Sequence, residues 1–165
     1  MKKETYFFDN IDDLIGYMKS KYKYISPLKL QKGLYFLFAY YTQFYGNKLE
    51  MADGSSEQDF SEYPKYLFDE DFEAWRYGPV IKEVYFKNRE GDYTDNYTES
   101  IFESEQGHEI KLFIDDLLED LMTTSDFNLV DRSHEDQSWV EAYAAGGGSG
   151  IITKESIALD YSKDK

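Results

Sequence analysis

The run from Ser26 to Gly46 constrains this chain most. Ser26-Pro27 is a helix start: the serine hydroxyl takes up an unpaired amide, and proline at the first helical position loses no bond through its missing N–H. Beyond it Leu30, Leu34, Leu37, Tyr41 and Tyr45 recur at three- and four-residue spacing, while Phe36, Phe38, Tyr40 and Phe44 widen the stripe. The helix is therefore apolar nearly all round. Such a helix lies at the centre of a domain, packed on several sides, or leaves one flank for a partner.

The other segments read as shorter helices packed around it. Asp9-Asn10 opens a first helix through Ile11, Leu14, Ile15 and Met18 to about Lys21, with Asp12 and Asp13 in the first turn where the helix dipole favours them. Gln106 to Thr123 places Ile110, Phe113, Ile114, Leu117, Leu118 and Leu121 on one face and Asp115, Asp116, Glu119 and Asp120 on the other. Ser125-Asp126 caps a short helix through Val130, Gln137 to Ala145 is helical around Trp139, and Thr153 caps a last helix carrying Ile157 and Leu159. Phe72 to Trp75 reads as extended, and a helix is expected from Pro79 or Val80 to about Asn88. Tyr93 to Phe102 is compatible with a short strand pair. The fold class is thus mainly α: a compact single-domain helical fold with a long central helix and room for a small β element between about residues 68 and 104. One domain spans residues 1–165, with a loop excursion at 47–66 and a glycine-rich loop at 146–150.

The charge narrows the function. With 33 acidic against 18 basic residues the net charge is −15, a field that repels nucleic acid and anionic membrane, so neither is expected as a direct partner. The absence of cysteine removes disulfides, thiolate catalysis and zinc-finger sites, and agrees with a reducing cytoplasm. The N-terminus turns acidic too soon for a secretory signal, and no apolar run approaches the roughly 18 residues that span a bilayer. A soluble cytoplasmic protein is expected.

No reaction is legible. Gly146-Gly147-Gly148-Ser149-Gly150 lacks the adjoining lysine of a phosphate loop. Ser133-His134-Glu135-Asp136 offers polar groups, but neighbours on a turn do not converge on one point, and His134 has no second histidine nearby. The segment Trp75-Arg76-Tyr77-Gly78-Pro79 differs, since Trp, Arg and Tyr dominate interface energetics. Two readings of it stay open: Trp75 plugs the core and Arg76 pairs with an acid, or these side chains meet a partner.

Three stretches together resemble the Panacea domain family, also called SocA-like and often labelled phage-associated protein. Ile25 to Phe36, containing Leu30-Gln31-Lys32-Gly33-Leu34-Tyr35, is similar to the family's Leu-Gln-Lys followed by Leu-Leu-Tyr. Phe72 to Tyr85 is similar to its Glu-Ala-Trp-x-x-Gly-Pro-Val-x-x-x-Val-Tyr. Ser133 to Trp139 is similar to its Thr-His-x-x-x-x-Trp, with Ser133 for Thr and Ser138 where Pro is usual. Gly33 stands where leucine is common, and the 47–66 excursion lies where the family passes quickly to Glu-Ala-Trp.

The resemblance implies a helical antitoxin, encoded in phages, prophages or bacterial operons, that binds and neutralises a toxin encoded in the adjacent gene. It implies no cofactor and no enzymatic activity. The family-motif residues Gln31, Lys32, Tyr35, Trp75, Arg76, Tyr77, Gly78, Pro79, His134 and Trp139 become the candidates for partner binding. An acidic inhibitor or decoy aimed at a host nucleic-acid-binding or defence protein is the competing reading.

Overall fold

The computed structural model describes residues 6–47 and 63–162. Ser26 caps the central helix as expected, its hydroxyl accepting from the Lys29 amide at 3.0 Å, with Pro27 in the first turn. This helix (α2, Pro27–Tyr41) continues into one π-helical turn, Thr42–Gly46, where the Thr42 hydroxyl donates to the Phe38 carbonyl at 2.9 Å. From Leu30 to Ala39 every residue of α2 is buried. Gly33 leaves room for two methionines: a Cβ there would lie 3.3 Å from Met18 Cε and 3.8 Å from Met122 Cε.

The helix α1 (Ile11–Lys21) is capped by the Asn10 side chain on the Asp12 amide at 2.9 Å. Two strands follow α2, β1 (Phe72–Trp75) and β2 (Gly78–Val80), then α3 (Lys82–Arg89), a 3-10 turn at Glu99–Phe102, and the amphipathic α4 (Glu105–Thr123). The chain closes with α5 (Asp126–His134), α6 (Gln137–Gly146), a strand β3 (Gly150–Ile152) and α7 (Lys154–Asp160). Helix α2 touches α3, α4, α5 and β2, so it is the axis on which the other elements pack. The seven α-helices among the described residues make the molecule mainly α.

The three strands form one antiparallel sheet in the order β2-β1-β3. Phe72 and Ala74 point inward, and the Phe72 ring meets Tyr35 and Phe38 of α2 edge-on at 5.3 and 5.8 Å between centroids. Two expectations are corrected here. Pro79 and Val80 belong to a strand and the helix starts only at Lys82, because Pro79 needs no N–H on the outer strand of a sheet. Tyr93 to Phe102 holds no strand: Tyr97 and Phe102 turn their rings onto Tyr17, at 5.1 and 5.0 Å, instead of pairing backbones. The glycine-rich run at 146–150 ends α6 with Gly147 left-handed and then enters β3, whose Ile152 pairs with Phe72.

Of the 47–66 excursion, residues 48–62 lie outside the described residues. Its end is part of the core: Tyr66 is buried and stacks on Phe38 at 5.5 Å, and the Tyr41 hydroxyl donates to the Pro64 carbonyl at 2.6 Å. Among the described residues no helix is long and apolar enough to cross a membrane.

Candidate partner-binding site

The site lies where α2 passes beneath the β1–β2 hairpin. Trp75 pairs with Gly78, which leaves Arg76 and Tyr77 as the turn. No described non-glycine residue has positive φ, so this is not one of the primed hairpin turns; the unusual backbone falls on Gly78, at φ 112°. A side chain at Gly78 would also meet Ser133 Oγ at 2.5 Å and Lys32 Cε at 2.7 Å. Glycine is needed both for its backbone angle and for the close approach.

Among the described residues strand β2 has no strand on its outer side, and an unpaired edge exposes backbone groups. Gln31 and Lys32 take those groups. The Gln31 carboxamide accepts from the Ile81 amide at 2.8 Å and donates to the Ile81 carbonyl at 3.2 Å, while Lys32 Nζ donates to the Pro79 carbonyl at 2.8 Å. The Leu-Gln-Lys and Gly-Pro-Val stretches are therefore two halves of one joint.

Lys32 is only 1% exposed and has no carboxylate within ion-pair distance among the described residues. Burial without a counter-charge disfavours the ammonium and pulls its pKa down to about 7.

A second cluster ties the hairpin to α5 and α6. The indole N–H of Trp139 donates to the Trp75 carbonyl at 2.9 Å. His134 Nε2 lies 3.1 Å from the Arg76 carbonyl, which can only accept, so Nε2 carries the proton. The His134 ring stacks on Trp139 at 4.0 Å, and Trp139 on Tyr143 at 4.8 Å. Behind them Asp136, 2% exposed, accepts from the Tyr35 hydroxyl at 2.5 Å and the Tyr161 hydroxyl at 2.8 Å. Burial, then the Asp136 charge, pushes the Tyr35 phenol well above its ordinary pKa.

Thus Gln31, Lys32, Gly78 and Pro79 form one joint, and Tyr35, His134 and Trp139 belong to the neighbouring one. Trp75, Arg76 and Tyr77 stand outward. The Trp75 indole donates to Glu73 at 2.9 Å and packs edge-on against Tyr85 at 5.1 Å, so it is no core plug; Arg76 forms no ion pair among the described residues and rests 5.6 Å from the Tyr77 ring. Beside them opens a groove of about 280 Å³, walled by Leu28, Trp75, Tyr77, Val80 and Tyr85 and floored by Gln31 and Lys32. Sequence reasoning met Asp136 only in the Ser133-to-Asp136 turn, set aside as a site of chemistry, and left Tyr85 out of the candidates although it closes the Phe72-to-Tyr85 stretch; nothing local marks one buried aspartate among 33 acidic residues.

Two other features bear on what the surface can do. A concavity of about 400 Å³ between α2 and α4 is floored by Tyr40, Phe44, Phe113 and Leu117, and its Arg132 is engaged by Asp120, the Phe36 ring and Tyr40. Among the described residues no group of three or more His, Asp or Glu side chains is placed to hold a metal ion.

The domain is mainly helical, with its hairpin locked onto a central helix and with aromatic and arginine side chains turned outward. The chain matches the family model described as antitoxin SocA-like, Panacea domain, over residues 55–140, more than half its length, and it belongs to that family. The match holds the hairpin and the His134-to-Trp139 segment; the Leu-Gln-Lys helix precedes it. No curated protein and no solved structure matches the chain.

Proposed function

We propose that this protein is an antitoxin that neutralises a cognate toxin by direct protein–protein binding, without chemistry of its own, and that the toxin is encoded in the adjacent gene of a phage, prophage or bacterial operon. The observation that carries the reading is the hairpin tip. Trp75, Arg76 and Tyr77 present large contact area with polar ends, on a turn fixed from behind by Lys32, His134 and Trp139. A preset turn loses little conformational freedom on binding.

The charge supports the same reading by another route. A toxin acting on nucleic acid or nucleotides presents positive charge to its substrate, and a −15 chain attracts that surface at long range. The acidic side of α4 steers, and the hairpin anchors.

Co-expression with the neighbouring reading frame tests the proposal. Growth of cells making both proteins, with arrest in cells making the neighbour alone, is the expected result. Arrest in both, or a harmless neighbour, would overturn it. Loss of rescue on Arg76→Ala with Tyr77→Ala, with unchanged thermal stability, would assign the contact to the hairpin.

A further inference from the structure

The groove under the hairpin contains an unusual floor. The other buried or half-buried lysines and arginines with ion pairs face carboxylates: Lys21 with Asp115 at 2.9 Å, Lys29 with Asp126 at 3.6 Å, Lys154 with Asp71 at 2.6 Å. Lys32 is more deeply buried than any of these and among the described residues faces only the Pro79 carbonyl. An ammonium has three donors, and this one has a single protein acceptor. In a chain of net charge −15, a cation without a carboxylate at the base of an open groove is conspicuous. A second cation without a carboxylate among the described residues, Arg76, stands at the rim.

We propose that this groove binds a carboxylate carried next to an apolar or aromatic side chain on a segment of the protein partner, the carboxylate meeting Lys32 and Arg76 and the apolar side chain meeting Trp75, Tyr77 and Tyr85. The inference rests on the hairpin being the partner surface and names what that surface recognises. The groove's size supports it: about 280 Å³ falls just below the roughly 300–1,000 Å³ of ordinary small-molecule sites, enough for one or two side chains and too little for a nucleotide. The sealed edge supports it too. With Ile81 and Pro79 already bonded to Gln31 and Lys32, the partner cannot add a strand to β2 and must insert side chains. An incoming carboxylate restores the counter-charge that Lys32 lacks, in a setting where a charge-assisted bond is strong.

The test uses the full chain and two probes that differ only in charge, N-acetyl-L-phenylalanine and its amide, followed by NMR at the Trp75 indole and the Lys32 side chain. The acid is expected to shift both signals and to bind about tenfold more tightly than the amide, the difference expected of an added charge-assisted contact. Lys32→Met is expected to bring the acid down to the amide's level; should that variant not fold, Arg76→Gln, at an exposed position, is expected to narrow the gap. Equal binding of acid and amide would overturn the proposal, as would silence of both signals, or a response to inorganic phosphate without one to the acid. Loss of toxin rescue in Tyr77→Ala without acid selectivity would leave the antitoxin reading standing and remove this one. Acid selectivity without any rescue by the wild-type chain would remove the antitoxin reading and keep the site.

Discussion

Gln31 holds both backbone groups of Ile81, accepting from its amide at 2.8 Å and donating to its carbonyl at 3.2 Å. A side-chain amide thereby replaces the neighbouring strand that β2 lacks. Gln31→Leu keeps the shape and leaves the buried Ile81 amide without its partner, while the Ile81 carbonyl keeps the Tyr85 amide at 3.0 Å. For one orphaned group a loss of about 1–3 kcal/mol is expected in denaturant unfolding. Gln31→Glu keeps the acceptor for the Ile81 amide and sets oxygen against the Ile81 carbonyl, so it should also lose stability.

Gly78 meets a different limit. Alanine there would carry φ 112° and place its Cβ 2.5 Å from Ser133 Oγ. Gly78→Ala should cost about 2–4 kcal/mol, combining an unfavourable backbone region with overpacking. Ser133→Ala in the same chain should recover only part of this, since it relieves the Ser133 clash and leaves both the backbone and the 2.7 Å approach to Lys32 Cε. Thermal melts of the two single variants and the double variant decide it.

The pH dependence of stability isolates Lys32. Its folded pKa is lowered to about 7 from 10.5, so between these values the unfolded chain binds a proton that the folded chain does not. Stability therefore rises with pH over that window, by at most about 1.4 kcal/mol per pH unit. Near pH 10 the trend reverses. Burial holds the Tyr35, Tyr41 and Tyr161 phenols above 10.0, and stability is lost once the unfolded chain ionises them first. Unfolding midpoints at pH 7 and 9.5 should show the rise in the wild type and its absence in Lys32→Met.

What the sequence made legible was mostly local. Ser26, Ser125 and Thr153 announce their helices, and each accepts from an amide three residues on. The hairpin was harder to see because Pro79 carries the same local signal at a helix start and on an outer strand. Residues distant in sequence decide between them: Lys32, 47 positions away, binds the Pro79 carbonyl. Strand β3 is three residues long and is defined by pairing with Phe72 to Ala74, which no local pattern reveals. Of the candidate site, the residues were readable from the family resemblance, but the division between joint and surface was not. Burial of Lys32 and exposure of Tyr77 are properties of packing.

Asp136 joins α2 to the end of the chain through Tyr35 and Tyr161. Asp136→Ala removes the carboxylate to which two buried phenols donate and should cost about 3 kcal/mol or more. Tyr35→Phe and Asp136→Asn should not be additive. Their double-mutant cycle is expected to give a coupling of about 1–2 kcal/mol, because the two groups share one hydrogen bond. A coupling near zero would show that the two do not interact in solution.

The two tryptophans should separate stability from binding. Trp139 is 9% exposed, stacks between His134 and Tyr143, and donates to the hairpin backbone; Trp139→Ala should cost about 3–5 kcal/mol and loosen the turn that Arg76 and Tyr77 occupy. Tyr77 is 54% exposed, so Tyr77→Ala should leave stability within about 0.5 kcal/mol. If the hairpin tip is the contact, the same change should weaken toxin binding by about tenfold or more, since truncating an aromatic anchor commonly costs upward of 1 kcal/mol. Trp75 falls between them. Its hydrogen bond to Glu73 and its packing on Tyr85 belong to the folded hairpin, yet the indole also forms a wall of the groove, so Trp75→Ala should reduce both stability and affinity. Melting temperature and dissociation constant measured on the three variants should therefore move together for Trp139 and Trp75 and apart for Tyr77. A Tyr77→Ala chain that binds toxin like the wild type would place the contact elsewhere on the domain.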